Sequence, residues 1–168
     1  MNILGIDPGS INCGYGIVKA VNPKRYGLSS QGNKNLAYIA SGRIVLPSKK
    51  PIYARLKDLY ISLLEVISEY KPDEVVIERI FFAKGTKAAL SLGQTRGVAL
   101  LAASSAECPI YEYSALEVKK AVVGYGMADK NQVQKMVKQI LRLNRVLSSD
   151  SADALAIAIC HANNKAVI

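Results

Sequence analysis

The stretch NILGIDPGS, residues Asn2 to Ser10, joins a short apolar run to one acid and a turn. The unbroken run from Ile3 to Ile6 predicts a strand that is buried on both faces, and Asp7 follows where the strand ends before a Pro-Gly pair. Ligands of open α/β sheets bind at the carboxyl ends of the strands, which favours a chemical role for Asp7. The competing interpretation is that Asp7 only opens the turn before Pro8.

A second segment has the same design. Residues Asp73 to Glu78 read DEVVIE, so a β-branched run is again followed by an acid. If this strand lies parallel to the first as its neighbour, about 4.8 Å away, Asp7 and Glu78 emerge side by side at one edge of the sheet.

Two further acids open a helix near the end of the chain. The segment from Ser148 to Cys160, SSDSADALAIAIC, predicts an Ala-rich helix, and the i, i+3 spacing of Asp150 and Asp153 puts both on one face. Carboxylates crowded with Asp7 and Glu78 repel one another unless a cation compensates their charge. Hard oxygen ligands suit Mg²⁺ or Mn²⁺, and two such ions about 3.5 to 4 Å apart can clamp a phosphodiester.

Composition predicts one basic domain. The 168 residues are 50% hydrophobic, enough for a single core, and we expect one nuclease domain spanning residues 1–168. The net charge is +9 although some of the few acids are assigned to the cleft, so the remaining surface is strongly basic. A basic surface around an acidic cleft suggests a polyanionic substrate, whereas the alternative is an ordinary solvated basic face.

The three cysteines, Cys13, Cys108 and Cys160, are odd in number and widely spaced in apolar settings, which is typical of reduced core residues. The first apolar run is too short for a signal peptide, and no apolar stretch of about 18 residues suggests a membrane span. We therefore expect a cytoplasmic protein.

Hydrophobic periodicity predicts the remaining elements. Strands are expected at Cys13 to Ala20 and Leu36 to Leu46, forming an antiparallel meander with the first strand, and the segment from Val21 to Asn35 is expected to be a long solvated hairpin loop. The other predicted elements are a helix over Pro51 to Tyr70, a helix from Thr86, a strand over Pro109 to Tyr113, a helix over Ala115 to Val123 and a helix from Lys130.

The segment after Glu78 carries candidate nucleic-acid contacts. Phe81 and Phe82 lie beside Lys84, and aromatic rings next to cations can stack on bases and hold phosphates. The alternative is that at least one of the two rings belongs to the core. Glycines four apart at Gly93 and Gly97 allow close approach of another backbone, either of the same sheet or of a second subunit.

The densest basic stretch follows later. It contains Lys119, Lys120 and Lys130, and the helix that Lys130 opens continues with Lys135, Lys138 and Arg142. Glycines near lysines suit close approach to a phosphate backbone, although a solvated helix face has the same composition.

The single histidine, His161, lies eleven residues after Asp150 on the same predicted helix. At the helical rise this is roughly 16 Å, which is too far for a shared metal ion. A cation near a helix C-terminus is the expected role.

Several separated motifs, in this order, resemble the RuvC-type Holliday junction resolvases, from Ile3 to about Asn163. The matching pieces are GIDPGS with the following GYG, IERIFFAKG, ALSLGQTRGVAL, VKKAVVGYGMADK and DSADALAIAICH. The resemblance implies the α/β ribonuclease H-like fold, with a mixed five-stranded sheet and helices on both faces.

The resemblance also implies roles by position. The four metal-binding catalytic acids of the family correspond to Asp7, Glu78, Asp150 and Asp153. The residue type at the third of these positions varies among members of the family. Phe81 falls on the aromatic residue that stacks at the junction crossover, and the DNA-contacting lysines of the family fall on Lys119 and Lys130. Together with Lys84, which is a candidate because it lies beside the phenylalanines, the predicted DNA contacts are Phe81, Lys84, Lys119 and Lys130.

Members of that family are homodimers that nick two strands of a four-way junction symmetrically with Mg²⁺ or Mn²⁺, and they act with the RuvA and RuvB branch-migration proteins. The segment from Val21 to Asn35 is longer than is usual in the family.

Three other classes compete with the resolvase interpretation. An RNA-processing nuclease of related fold would share the acids. A non-catalytic junction-binding module would gain nothing from four acids next to phosphates. An actin-like ATPase needs a second phosphate loop and a second lobe, for which 168 residues leave no room.

Overall fold

The computed structural model describes residues 1–21, 35–79 and 86–165, and its central element is strand β1, which ends at Asp7. In chain order the elements are β1 Asn2–Asp7, β2 Asn12–Val21, β3 Asn35–Val45, α1 Ile52–Tyr70, β4 Glu74–Arg79, α2 Thr86–Ser105, β5 Ile110–Ser114, α3 Ala115–Val123, α4 Lys130–Ile140 and α5 Ser149–Asn164.

One mixed sheet contains all five strands in the order β3-β2-β1-β4-β5. Strands β1, β2 and β3 pair antiparallel, which confirms the predicted meander. Strands β4 and β5 run parallel to β1, and Ile6 of β1 pairs with Ile77 of β4. The predicted parallel pairing of the two acid-terminated strands is therefore confirmed.

Alternate residues of the central strands point to opposite faces of the sheet, and each face has its own core. Leu4 and Ile77 pack with Leu59 of α1 on one face, where α2 also lies. Ile3 and Val76 pack on the other face against α5, with α3 and α4 outside it. The expected α/β class, with a mixed five-stranded sheet and helices on both faces, is confirmed.

The predicted element boundaries differ from the observed ones by a few residues. Pro51 is the N-cap of α1 and not its first helical residue. The proline ring is compatible with a position at the start of a helix. Helix α5 runs to Asn164 and includes His161, as predicted.

The predicted hairpin loop, Val21 to Asn35, lies outside the described residues except for its two ends. The cysteines are free thiols, with Cys13 and Cys160 buried as expected and Cys108 partly buried. Among the helices of the described ranges, none combines the length and the apolar character that crossing a bilayer requires.

Candidate active site

Asp7 and Glu78 lie at the carboxyl ends of neighbouring parallel strands. They directly follow the paired residues Ile6 and Ile77. Each acid lies an even number of residues along its strand from Ile3 or Val76, whose side chains pack toward α5, and therefore points to the same face of the sheet. The register of β1 and β4 therefore directs both carboxylates to the face of the sheet that α5 covers.

The backbone of helix α5 packs directly against the backbone of that face, because the strands carry glycine there. A Cβ on Gly14 would lie 2.1 Å from the carbonyl oxygen of Asp150, and a Cβ on Gly5 would lie 2.1 Å from that of Ala154. Gly14 is also the residue of β2 that pairs with Asp7. Because Gly5 and Gly14 have no side chain, α5 approaches the sheet closely, and this approach sets the distance between the acids of α5 and those of the strands.

A cleft of about 240 Å³ brings three of the four predicted acids together. Asp7, Glu78 and Asp153 line it, with apolar walls from α3, α4 and α5. Asp150 does not line the cleft, although its charge acts on Asp7 and Asp153. Of the two acids that the i, i+3 spacing puts on one face of α5, Asp153 lines the cleft and Asp150 lies outside its lining.

The proton affinities of the lining acids are raised. Burial, followed by repulsion from Glu78 and Asp153, raises the pKa of Asp7 to about 7. Burial is also the main cause that raises the pKa of Glu78, with repulsion from Asp153 adding to it, and burial raises the pKa of Asp153 against the opposing effect of Lys130. Three carboxylates in this cleft favour a bound cation or protonation.

Two of the predicted DNA-binding lysines line the same cleft, Lys119 from α3 and Lys130 from α4. The ammonium Nζ of Lys130 lies 2.7 Å from Oδ2 of Asp153. Lys119 forms no ion pair with an acid in the part of the chain that the structure describes, but its charge lowers the pKa of Glu78 against the larger effect of burial. Sequence reasoning places these lysines on a basic surface and misses the Lys130–Asp153 pair, for which 23 residues of separation give no local signal.

The chemistry of the donor set fits a hard divalent cation. All the lining acids supply oxygen, and no cysteine or histidine lines the cleft. Among the described residues, no three side chains already converge as metal ligands, and one oxygen of Asp153 is taken by Lys130. The acids that would hold the ion are therefore present, and in this structure the ammonium of Lys130 compensates part of their negative charge.

The other predicted DNA contacts, Phe81 and Lys84, lie outside the described residues. Lys135 and Lys138 of α4 border shallow surface depressions away from the acids, together with Arg142. The prediction that this helix also carries Arg142 is wrong, because α4 ends at Ile140 and Arg142 lies in the following turn with a positive φ.

His161 has a different role from the expected one. It is 1% exposed, and its Nε2 lies 2.7 Å from Oε2 of the buried Glu74, while Tyr113 Oη lies 3.0 Å from its Nδ1. Lys165 pairs with the other oxygen of Glu74. The histidine does not line the acidic cleft, as expected, but it is part of a buried polar cluster and not an exposed cation at the helix end.

Comparison with known proteins points to one family. The family model described as crossover junction endodeoxyribonuclease RuvC matches residues 3–161. RuvC of Citrifermentans bemidjiense is 45% identical over 167 residues, covering 99% of this chain and 95% of the relative.

Two solved structures are also similar over nearly the full length. The Thermus thermophilus RuvC structure is 32% identical with a TM-score of 0.86, covering 99% of this chain and 96% of that one. T. thermophilus RuvC in complex with Holliday junction substrate is 28% identical with a TM-score of 0.85 and the same coverage. With its ribonuclease H-like fold, this chain belongs to the RuvC family of crossover junction endodeoxyribonucleases.

Proposed function

We propose that this protein resolves Holliday junctions in DNA recombination and repair, by paired symmetric nicks through metal-dependent hydrolysis of phosphodiesters. The observation that carries the proposal is the cleft in which Asp7, Glu78 and Asp153 face Lys119 and Lys130. Acids that can hold a divalent cation and lysines that can hold phosphate occur there side by side. The T. thermophilus relative in complex with Holliday junction substrate supports a four-way junction as the substrate.

In this proposal the catalytic and metal-binding residues are Asp7, Glu78, Asp150 and Asp153, and the metal is Mg²⁺, for which Mn²⁺ can substitute. When bound, two such ions would supply a water of lowered pKa and positive charge for the developing charge on the phosphate oxygens. Asp7, at the end of the central strand and within electrostatic reach of the other three acids, would be a metal ligand. Asp150, which stands outside the cleft lining, would orient water or complete one ligand set.

The lysines of the cleft would position the DNA backbone. Lys119 of α3 and Lys130 of α4 line the cleft together with the acids. A phosphate bound by these groups would be held against the acids, and the apolar walls between them would limit access of water. Phe81 and Lys84 are proposed to contact DNA at the crossover, in the segment that follows Glu78.

Paired nicks require two sites, and we propose a homodimer formed through α2. Leu90 and Leu101 of this helix are 65% and 57% exposed. Gly93 and Gly97 lie between them on the same stripe, and apart from the adjacent residues and the backbone of α2 itself, no atom of the described chain lies within 4 Å of a Cβ at either position. These openings and leucines suit close packing with a second copy of the helix. A two-fold dimer matches the two-fold character of a four-way junction.

The proposal also includes a single nuclease domain over residues 1–168, a cytoplasmic location and cooperation with the RuvA and RuvB branch-migration proteins. These parts rest on family membership and on the composition of the chain.

The proposal is tested with carboxylate variants on a synthetic four-way junction. Asp7→Asn and Asp153→Asn are expected to bind the junction and to lose cleavage by at least about a thousandfold, since each removes a negative oxygen ligand. Asp150→Asn is expected to retain more activity than either. Cleavage at the wild-type rate by Asp7→Asn in Mg²⁺ would overturn the assignment.

A further inference from the structure

Lys130 combines a fixed backbone position with an exposed side chain that pairs with Asp153. It is the first residue of α4, directly after Asp129, whose carboxylate accepts from the backbone N–H of Gln132 while the side chain of Gln132 accepts from the backbone N–H of Asp129. This capping box fixes where the helix begins. The lysine side chain is 59% exposed, whereas its partner Asp153 is 25% exposed.

Among the described residues, the ammonium of Lys130 is the cation that forms an ion pair with an acid of the cleft. It pairs with Asp153 at 2.7 Å, and its charge also acts on Asp7 and Glu78. Lys119 lines the same cleft without such a pair in the described chain. The two lysines thus have the same charge and line the same cleft, but of the two only Lys130 occupies a carboxylate oxygen that a metal ion would need.

We propose that Lys130 is an internal counter-cation of the acidic cleft: it holds Asp153 when no metal is bound, and releases it when a divalent ion and the DNA backbone bind together. This inference rests on the proposed function, since it assigns a regulatory role to a residue of the same site. A phosphate entering the cleft offers the ammonium a new anionic partner, and Asp153 becomes free for the ion. Metal and DNA must then favour each other's binding by the same factor.

The test measures Mn²⁺ binding, with the free ion followed by electron paramagnetic resonance, in full-length protein without DNA. Lys130→Met is expected to bind Mn²⁺ roughly tenfold more tightly than wild type, because direct competition and repulsion at contact distance are both removed. Lys119→Met, the matched control, removes one charge from the same cleft and is expected to change the affinity by no more than about threefold. Lys130→Arg keeps the cation and should remain close to wild type.

A second titration adds a four-way junction with phosphorothioate linkages around the crossover, to suppress cutting. The junction should raise the Mn²⁺ affinity of wild type roughly tenfold, and should raise that of Lys130→Met clearly less. Circular dichroism of each variant establishes that it is folded.

Three results would overturn the inference. Equal Mn²⁺ affinities of wild type and Lys130→Met would exclude competition for Asp153, and equal gains in Lys130→Met and Lys119→Met would show only a general charge effect. Either result leaves the proposed function standing. Failure of the proposed function has a distinct signature, namely that Mn²⁺ binding is absent or is unaffected by Asp7→Asn, and this would overturn both.

Discussion

The carbonyl oxygen of Ala154 in α5 lies 2.1 Å from the point at which a Cβ on Gly5 would stand. Even one methyl group at this position of β1 would therefore collide with helix backbone, which cannot rotate away as a side chain can. Helix α5 carries Asp150 and Asp153, and β1 carries Asp7. The glycine thus links the packing of the core to the spacing of the acids.

Gly5→Ala is expected to destabilise the protein by at least about 2 kcal/mol and to weaken Mn²⁺ binding, because α5 has to move away from the sheet. Urea unfolding and Mn²⁺ titration measure the two effects. Ala37→Val, which enlarges an exposed residue of β3, should stay within about 0.5 kcal/mol of wild type. An unchanged urea midpoint in Gly5→Ala would contradict the close packing described above.

Asp7→Asn is expected to stabilise the metal-free protein near neutral and alkaline pH. Burial and the neighbouring acids raise the pKa of Asp7 from 3.8 to about 7, so between these values the folded state holds a proton that the unfolded state has lost. Stability contributed by this proton is present at low pH and is lost as the pH rises through about 7.

In EDTA at pH 8, the Tm of Asp7→Asn should exceed that of wild type by on the order of 5 °C, and the difference should vanish below about pH 4. Asp58→Asn serves as a control, since Asp58 forms an exposed ion pair with Lys50. A wild-type Tm at pH 8 that equals or exceeds that of Asp7→Asn would show that the ionised carboxylate of Asp7 does not destabilise the fold.

Glu74→Gln is expected to be destabilising, with the opposite dependence on pH. Burial raises the pKa of Glu74, but hydrogen bonds from Lys165 and His161 outweigh burial and hold it below its ordinary value of 4.5. The ionised carboxylate therefore stabilises the fold above the ordinary carboxyl pKa, and this stability is lost as the pH falls through the lowered value.

The loss in Glu74→Gln should be about 1 to 3 kcal/mol at pH 7, measured by urea unfolding, and should shrink in acid. Glu65→Gln, at an exposed position of α1, should have little effect at either pH. A loss that is independent of pH would mean that Glu74 acts through its shape and not through its charge.

Replacement of the exposed leucines of α2 tests the proposed dimer. Leu90→Glu with Leu101→Glu is expected to yield a folded monomer, since both side chains are already exposed in the single chain and only the contact with a second copy would be lost. Light scattering after size-exclusion chromatography gives the mass. Val45→Glu, which is also at an exposed apolar position, should leave the dimer intact. A monomeric wild type would refute the dimer.

Local sequence patterns predict most of the fold. Alternation, apolar runs and helical periodicity identify the strands and helices, and the acids at the ends of the apolar runs of β1 and β4 indicate that Asp7 and Glu78 emerge together at one edge of the sheet. These features depend on neighbours in sequence, which a pattern records.

Contacts between distant residues are what the sequence leaves open. Glu74 and His161 are 87 residues apart, and a single acid or histidine has no periodicity that indicates its partner. The pairing of Lys130 with Asp153 is hidden for the same reason. Nor does spacing show that the glycines of β1 and β2 face α5, since strand glycines occur equally at bulges and turns.

This protein is proposed to cut four-way DNA junctions at an acidic, metal-dependent site. A cleavage assay compares a synthetic junction with a linear duplex and an RNA of matched sequence, each in Mg²⁺ and in EDTA, for wild type and Asp7→Asn. We expect paired symmetric nicks in the junction alone, only with Mg²⁺ and only by wild type. Equal cutting of duplex or RNA, or junction cutting that survives in EDTA or in Asp7→Asn, would contradict it.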